Sequence, residues 1–206
     1  MVIDTKIAQD GNIYSVINLA DCSYLMEEGV PNLPVKIIKL IIPVGEVAVG
    51  VNITNTSGGI ISLNYPVMPV QKPIPTSIDF EGNEFVSPNK NIYSLDADYP
   101  VKSARILRTN NIRGNSIVVV EVSPFSYNPA KNQLEIFESV DIKIQTNPSE
   151  KAIKSSSVKN EEKFNGYLKS IVDNKHDVAN FSTITEKQAK QETIGLKSGT
   201  ANLSSI

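Results

Sequence analysis

In L-E-I-F-E-S-V-D-I-K-I-Q (134–145), Leu134, Ile136, Val140, Ile142 and Ile144 fall on positions of one parity. A period of two sends successive side chains to opposite faces, so this stretch reads as a strand with one face against a core. Phe137 breaks the parity and marks a bulge or a bend near Ser139. E-V-A-V-G-V-N-I (46–53) alternates in the same way, with Val47, Val49, Val51 and Ile53 on one face. Two half-buried strands need a facing layer, and that requirement points to a β-sandwich.

The rest of the first 146 residues agrees with an all-β reading. Val35–Ile42, Val47–Thr54, Ile60–Leu63, Ser103–Leu107, Ser116–Ser123 and Gln133–Gln145 are strand candidates, rich in Val and Ile and bounded by Gly, Pro, Asn and Asp. T-N-T-S-G-G-I (54–60) reads as a turn between two of them, with Gly58-Gly59 supplying positive φ. Y-N-P-A-K-N-Q (127–133) is a second connection. The stretch Y-P-V-M-P-V-Q-K-P-I-P (65–75) holds four prolines in eleven residues. Proline removes ladder donors, so this segment is expected to run extended, near polyproline II, and not as a central strand. Thr76 to Leu95 reads as a long surface excursion.

The composition shifts after Asn147. A polar linker over 148–163 leads to F-N-G-Y-L-K-S-I-V-D-N-K-H-D-V-A, where Phe164, Tyr167, Leu168, Ile171, Val172 and Val178 approach helical spacing. The predicted organisation is an antiparallel β-sandwich, jelly-roll-like, over 1–147, the linker over 148–163, a short amphipathic helix over 164–180 and a flexible tail over 181–206.

Catalytic chemistry finds little to work with. The chain has one cysteine, Cys22, and one histidine, His176. Neither a helix N-terminus nor basic neighbours surround Cys22 in L-A-D-C-S-Y, so a small core thiol and a solvated helix histidine are the plainer readings. A zinc site needs more ligands than these. The acidic pairs at 27–28, 96–98 and 161–162 read as solvated charges, and Asp96 and Asp98 do not meet the calcium-loop pattern. There is no phosphate-binding glycine motif. The triplets N-I-T, N-T-S, N-F-S and N-L-S fit the glycosylation pattern, as chance alone allows in an Asn/Ser/Thr-rich chain. A net charge of -2 offers no basic excess for nucleic acid. No apolar run reaches the ~20 residues of a membrane span. The longest, Ile37 to Val44, is interrupted by Lys39 and Pro43. The expectation is a non-enzyme without metal or cofactor.

The segment Y-P-V-K-S-A-R-I-L-R-T-N-N-I-R-G-N-S-I-V-V-V-E-V-S-P-F-S-Y-N-P-A-K-N-Q-L-E-I-F-E-S-V-D-I-K-I (99–144) resembles the N-terminal propeptide domain of the gingipain-type cysteine peptidases. The matching elements are Tyr99-Pro100, Arg113-Gly114 before a strand, the turn from Pro124 through Tyr127 and Asn128 to Pro129, and the strand Leu134–Ile144. G-V-P-N-L-P-V (29–35), M-P-V-Q-K-P-I-P (68–75) and F-N-G-Y-L-K-S-I-V-D-N (164–174) are similar to further parts of that domain. Physically, the Arg113–Pro129 stretch reads as two strands turned at a sandwich rim. Gly114 permits a tight entry, Pro124 ends the ladder, and Phe125 and Tyr127 face one side and plug the core.

The resemblance implies a prodomain. Such a domain covers the catalytic cleft of its own cysteine peptidase, assists its folding and is cleaved off. It implies an exposed inhibitory loop after the proline segment, here Gln71, Lys72, Pro73, Ile74, Pro75, Thr76 and Ser77. A relative that targets basic residues would carry Arg or Lys near Thr76. This chain has Thr76, with Lys72 four residues earlier. Lys72 is the first choice for a target that cleaves after basic residues, and Ile74, Thr76 or Ser77 for another pocket. A proline-stiffened loop loses little entropy on docking. The resemblance also implies a secreted or cell-surface bacterial location after removal of a signal peptide, which M-V-I-D-T-K-I-A-Q-D-G does not contain. The tail from Glu186 does not read as the start of a catalytic α/β domain, which leaves an excised prodomain and a stand-alone inhibitor both open. The alternative function is a non-catalytic surface β-sandwich that binds glycan or protein, although no tryptophan is present for sugar stacking.

Overall fold

The computed structural model describes residues 1–24, 27–73, 84–149, 161–181 and 200–203. The fold is all-β, an antiparallel sandwich with short C-terminal helices. Strand β1 (Val2–Ile7) is followed by β2 (Ile13–Asn18), β3 (Ser23–Tyr24), β4 (Pro34–Ile41) and β5 (Glu46–Ser62). After one helical turn, α1 (Lys90–Tyr93), come β6 (Ala104–Ile112), β7 (Asn115–Val122), β8 (Phe125–Asn128) and β9 (Gln133–Pro148). Helix α2 (Glu161–Ile171), a 3-10 turn (Lys175–Asp177), α3 (Val178–Phe181) and β10 (Thr200–Leu203) complete the order. The chain forms two compact units. Met1–Lys36, Gly58–Ser103 and Ser123–Phe137 make the first, and Ile37–Ser57, Ala104–Val122 and Glu138–Ile206 the second.

In the first unit β1 and β2 form a hairpin in register from Val2↔Asn18 to Ile7↔Ile13. Sequence reasoning missed this hairpin, because β1 is exposed along almost its whole length and carries no clean alternation. Its turn is held by Asp10, whose carboxylate accepts from the Asn12 amide and, at 2.8 Å, from the Tyr14 hydroxyl. Burial and the Asp10 carboxylate push the Tyr14 phenol up to about 12. Strand β8 pairs with the start of β9, Phe125↔Ile136 to Asn128↔Gln133. The core gathers Ile17 of β2, Phe125 and Tyr127 of β8, and Leu134 of β9 with Leu33, Leu63 and Val67. Phe125 and Tyr127 are 1% and 0% exposed, the plug that their spacing predicts. They sit on a strand of their own, where the sequence reads only a turn.

The second unit is built on the pairs β4–β7 and β6–β7, and on β9 between β5 and β10. β10 pairs Thr200↔Lys143 to Leu203↔Val140, so this part of the predicted flexible tail lies in a sheet. The register of β6 on β7 slips between Ile106 and Arg108. On β9, Val140, Ile142 and Ile144 are buried, as the alternation predicts. Phe137 is also buried, out of the parity of Leu134 and Ile136, which pack together in the first unit's core.

Two local expectations change. Gly58-Gly59 does not turn the chain, and β5 runs unbroken through it. A Cβ on Gly58 would collide with the Ile136 carbonyl of β9. The glycine therefore serves a close approach of two backbones, its other use in strands. The single helix expected over 164–180 is two short helices and a 3-10 turn, broken after Ile171. The apolar stripe survives the break, since Phe164, Leu168, Val172 and Val178 are buried with Ile41 and Ile117. Among the described residues no helix is long and apolar enough to cross a membrane.

Candidate functional site

The proline segment is extended, as expected, but its middle is buried: Val67 to Val70 all lie in the interior. Prolines 66, 69 and 73 lack a donor, and the residues between them keep theirs. Met68 N–H donates to Ser15 O and Ser15 N–H to Pro66 O, each at 2.8 Å. On the other side Asn32 N–H donates to Met68 O, Val70 N–H to Val30 O and Gly29 N–H to Val70 O, at 2.8, 2.8 and 3.0 Å. The N–H groups of Met68 and Val70 thus each bond to one of two flanking segments.

This framework ends in a stem. The Gln71 side chain spans the two arms of the excursion. Its Nε2 donates to Pro69 O and to Val86 O, both at 3.0 Å, and its Oε1 accepts from Val86 N–H at 2.9 Å. Asn89 N–H donates to Gly29 O at 2.9 Å, and the Asn89 side chain caps α1. From α1 the Tyr93 hydroxyl donates to Val67 O at 2.7 Å, and burial raises its pKa, so it stays a neutral donor. Both arms are thus tied down on either side of residues 74–83. Lys72 and Pro73 are exposed immediately past the stem. Ile74, Pro75, Thr76 and Ser77 lie outside the described residues. Beside the stem is a cavity of about 370 Å³, lined by Val16, Met68, Val70 and Pro73 with Lys6, Tyr24 and Asn32 among its polar groups.

The other singled-out residues are structural. Arg113 and Gly114 form the two-residue link of the β6–β7 hairpin, with φ of 50° and 87°. Two successive positive φ values are what a primed hairpin turn needs. Asn111 Oδ1 accepts from Gly114 N–H at 2.9 Å. The Arg113 guanidinium lies over the Phe164 ring, 5.3 Å from its centroid. Gly114→Val puts a branched side chain at positive φ and is expected to cost about 2 kcal/mol. A urea midpoint equal to that of the parent chain would refute it.

Pro124 O accepts from Phe137 N–H at 2.9 Å. The Tyr127 hydroxyl donates to Asn132 Oδ1 at 2.7 Å and accepts from Val67 N–H at 3.3 Å. Its backbone bonds to Tyr99 in both directions, which explains Tyr99 in the same motif. Asn128 is buried, and its amide donates to Asp96 and Asp98 at 3.0 and 3.3 Å. The Pro129 carbonyl accepts from Asn132 N–H. Lys131 stands 2.7 Å from Asp96. Its ammonium, then the Asn128 amide, holds the Asp96 carboxyl below its ordinary value. The acidic pair is thereby taken up by a turn.

Among the described residues no three His, Cys, Asp or Glu side chains come together as a metal site. Burial pushes the Cys22 thiol up, away from the thiolate. His176 is exposed beside Asp177. Sequence reasoning assigned Gln71 to the loop but missed its role as the clamp. The partner, Val86, is fifteen residues away and carries no local signal.

The sequence model Propeptide_C25 matches residues 3–181. No curated protein matches this chain. Among solved structures, the complex of the pro- and mature domains of RgpB from Porphyromonas gingivalis superposes with a TM-score of 0.63 and 18% identity, over 84% of this chain and 87% of the other. The structure reporting on zymogenic latency of gingipain K from Porphyromonas gingivalis has a TM-score of 0.57 and 22% identity, over 71% of this chain and 81% of the other.

Proposed function

The chain belongs to the Propeptide_C25 family, and from that membership we propose that it is the inhibitory prodomain of a gingipain-type cysteine peptidase. It masks the catalytic cleft of its peptidase, assists the folding of that domain and is removed by cleavage. It acts outside the cytoplasm, secreted or at the cell surface, together with its target. The likeness to structures described as a pro- and mature-domain complex and as a latent zymogen supports the reading at the level of fold.

The observation that carries the proposal is the Gln71 stem. It fixes both arms of the excursion and leaves Lys72 and Pro73 exposed at the point where a loop would enter a cleft. A loop held at its base has lost much of its freedom before docking, so less entropy opposes binding. Pro73 and Pro75 stiffen it further and hinder cleavage of neighbouring bonds. Lys72 is the residue for a pocket that takes basic side chains, and Ile74, Thr76 or Ser77 for a different pocket.

The test is inhibition of a gingipain-type catalytic domain by the purified chain. Nanomolar inhibition without turnover supports the reading, and an unaffected peptidase refutes it. Alanine at Lys72, Ile74 or Thr76 is expected to leave the thermal midpoint nearly unchanged. At the residue that fills the pocket, inhibition weakens by about tenfold or more, a difference of about 1.4 kcal/mol. A parallel loss of folding in all three variants would show that the loop is part of the framework instead.

A further inference from the structure

Strand β4 does not need a neighbouring strand along its whole length, because two residues, Asp173 and Asn174, stand in for one. Ile42 N–H donates to Ser116 O of β7 at 3.1 Å. Backbone groups alternate in direction along a strand, so those of Ile41 and Lys39 point away from β7. Asp173 and Asn174 meet them there. Lys39 N–H donates to Asp173 Oδ2 at 2.7 Å, and Asp173 N–H to Lys39 O at 2.8 Å. Ile41 N–H donates to Asn174 Oδ1, and Asn174 Nδ2 to Ile41 O, both at 2.9 Å. The second amide hydrogen of Asn174 goes to Asp177 Oδ2, also at 2.9 Å, which orients the amide for this task. Asn174 is 5% exposed. The bonds at Lys39 and Ile41 thus reproduce the donor–acceptor pattern of a β-ladder across two alternate residues.

An apolar contact adjoins this polar one. Phe164, Leu168, Val172 and Val178 pack with Ile41 of β4 and Ile117 of β7. Arg113 covers Phe164 from the hairpin turn. An apolar helical stripe followed by an Asp-Asn pair has the features of a peptide ligand: buried anchors for affinity, and main-chain bonds to an edge strand for register.

We propose that the β4 edge at Lys39 and Ile41, with the patch at Ile41 and Ile117, is a docking surface for an amphipathic helix followed by Asp-Asn. Its occupant is this chain's own Glu161–Phe181 segment, which stays bound when the chain is cut between Ser149 and Glu161. Such a cut nicks the chain without parting it. For a prodomain, parting then requires cleavage beyond Phe181, and the 148–163 linker is not the release point. That consequence rests on the prodomain reading. The docking itself does not, so the two fail separately.

The experiment uses the whole chain with recognition sequences for a site-specific protease inserted between Ser155 and Ser156 and between Thr185 and Glu186, the second so that β10, which pairs with β9, does not hold the helical fragment. After complete cutting, the helical fragment is expected to elute with the body of the chain in gel filtration across a dilution series and to separate only in denaturant. A synthetic peptide of residues 161–181 is expected to exchange into the nicked chain. The same peptide with both Asp173→Ala and Asn174→Ala is expected to compete at least about tenfold less well, because it leaves Lys39 N–H and both edge groups of Ile41 without their side-chain partners. A Tyr167→Ala peptide, changed at a half-exposed position, is expected to compete like the parent. Separation of the native fragments on cutting overturns the proposal. So does equal competition by the doubly substituted peptide, and that measurement does not depend on any variant of the chain folding.

Discussion

Gly58→Ala is expected to destabilise the protein by about 3 kcal/mol, the upper end of the usual cost of overpacking. Gly59→Ala, one residue on, is expected to be neutral or to stabilise by up to about 0.5 kcal/mol. The two glycines are adjacent on β5 and both exposed. They differ in what a methyl group would meet. At Gly58 it would run into the Ile136 carbonyl and then the backbone at Phe137, whereas at Gly59 nothing lies within 4 Å. Backbone cannot swing aside as a flexible side chain can, so β5 and β9 must separate locally or the substituted strand must shift. Urea denaturation of the pair decides the matter. Equal midpoints would mean that the close approach at Gly58 does not constrain the strand pair.

Tyr127→Ala is expected to cost about 3–5 kcal/mol, the usual range for removing a buried aromatic ring. Tyr127→Phe isolates the hydroxyl and is expected to cost about 1–2 kcal/mol, because it leaves Asn132 Oδ1 and Val67 N–H without that partner. The ring fills the centre of the first unit's core, and the hydroxyl bonds the proline segment that leads to the Gln71 stem. Denaturant midpoints of both variants measure the two parts separately. A Phe variant as stable as the parent would show that the hydroxyl contributes nothing to the buried network. If inhibition also depends on how firmly the stem is seated, the Phe variant is expected to inhibit more weakly than its stability alone accounts for.

The candidate site was partly legible in the chain. The prolines at 66, 69 and 73 mark an extended segment, because a missing N–H and a fixed φ act wherever proline stands. The resemblance in 99–144 and 68–75 pointed to the family that the sequence model matches over 3–181. Nothing in Q-K-P-I-P told that Gln71 faces inward as the clamp. Its role exists only because Val86 returns to its side. Likewise D-N at 173–174 reads as an ordinary helix end. Only Lys39 and Ile41, more than a hundred residues earlier, turn those side chains into a substitute strand.

The sequence by itself determined the β character, the inward face of β9 over Val140–Ile144 (but not the one expected of β5, where Val49 is exposed) and the apolar stripe of the C-terminal segment. Each follows from a repeat of two or of about 3.6 residues, a property of the local backbone that needs no partner to be expressed. Tertiary structure alone decided whether Gly58-Gly59 turns or continues, whether β1 has a strand beside it, and where the C-terminal helix breaks. In those places the residues permit more than one backbone path. Ile136 selects the path at Gly58, β2 selects it at β1, and the open bonds of β4 select it at Asp173 and Asn174. A short polar or glycine stretch has no buried face of its own to fix its conformation, so the unpaired groups of distant strands fix it instead.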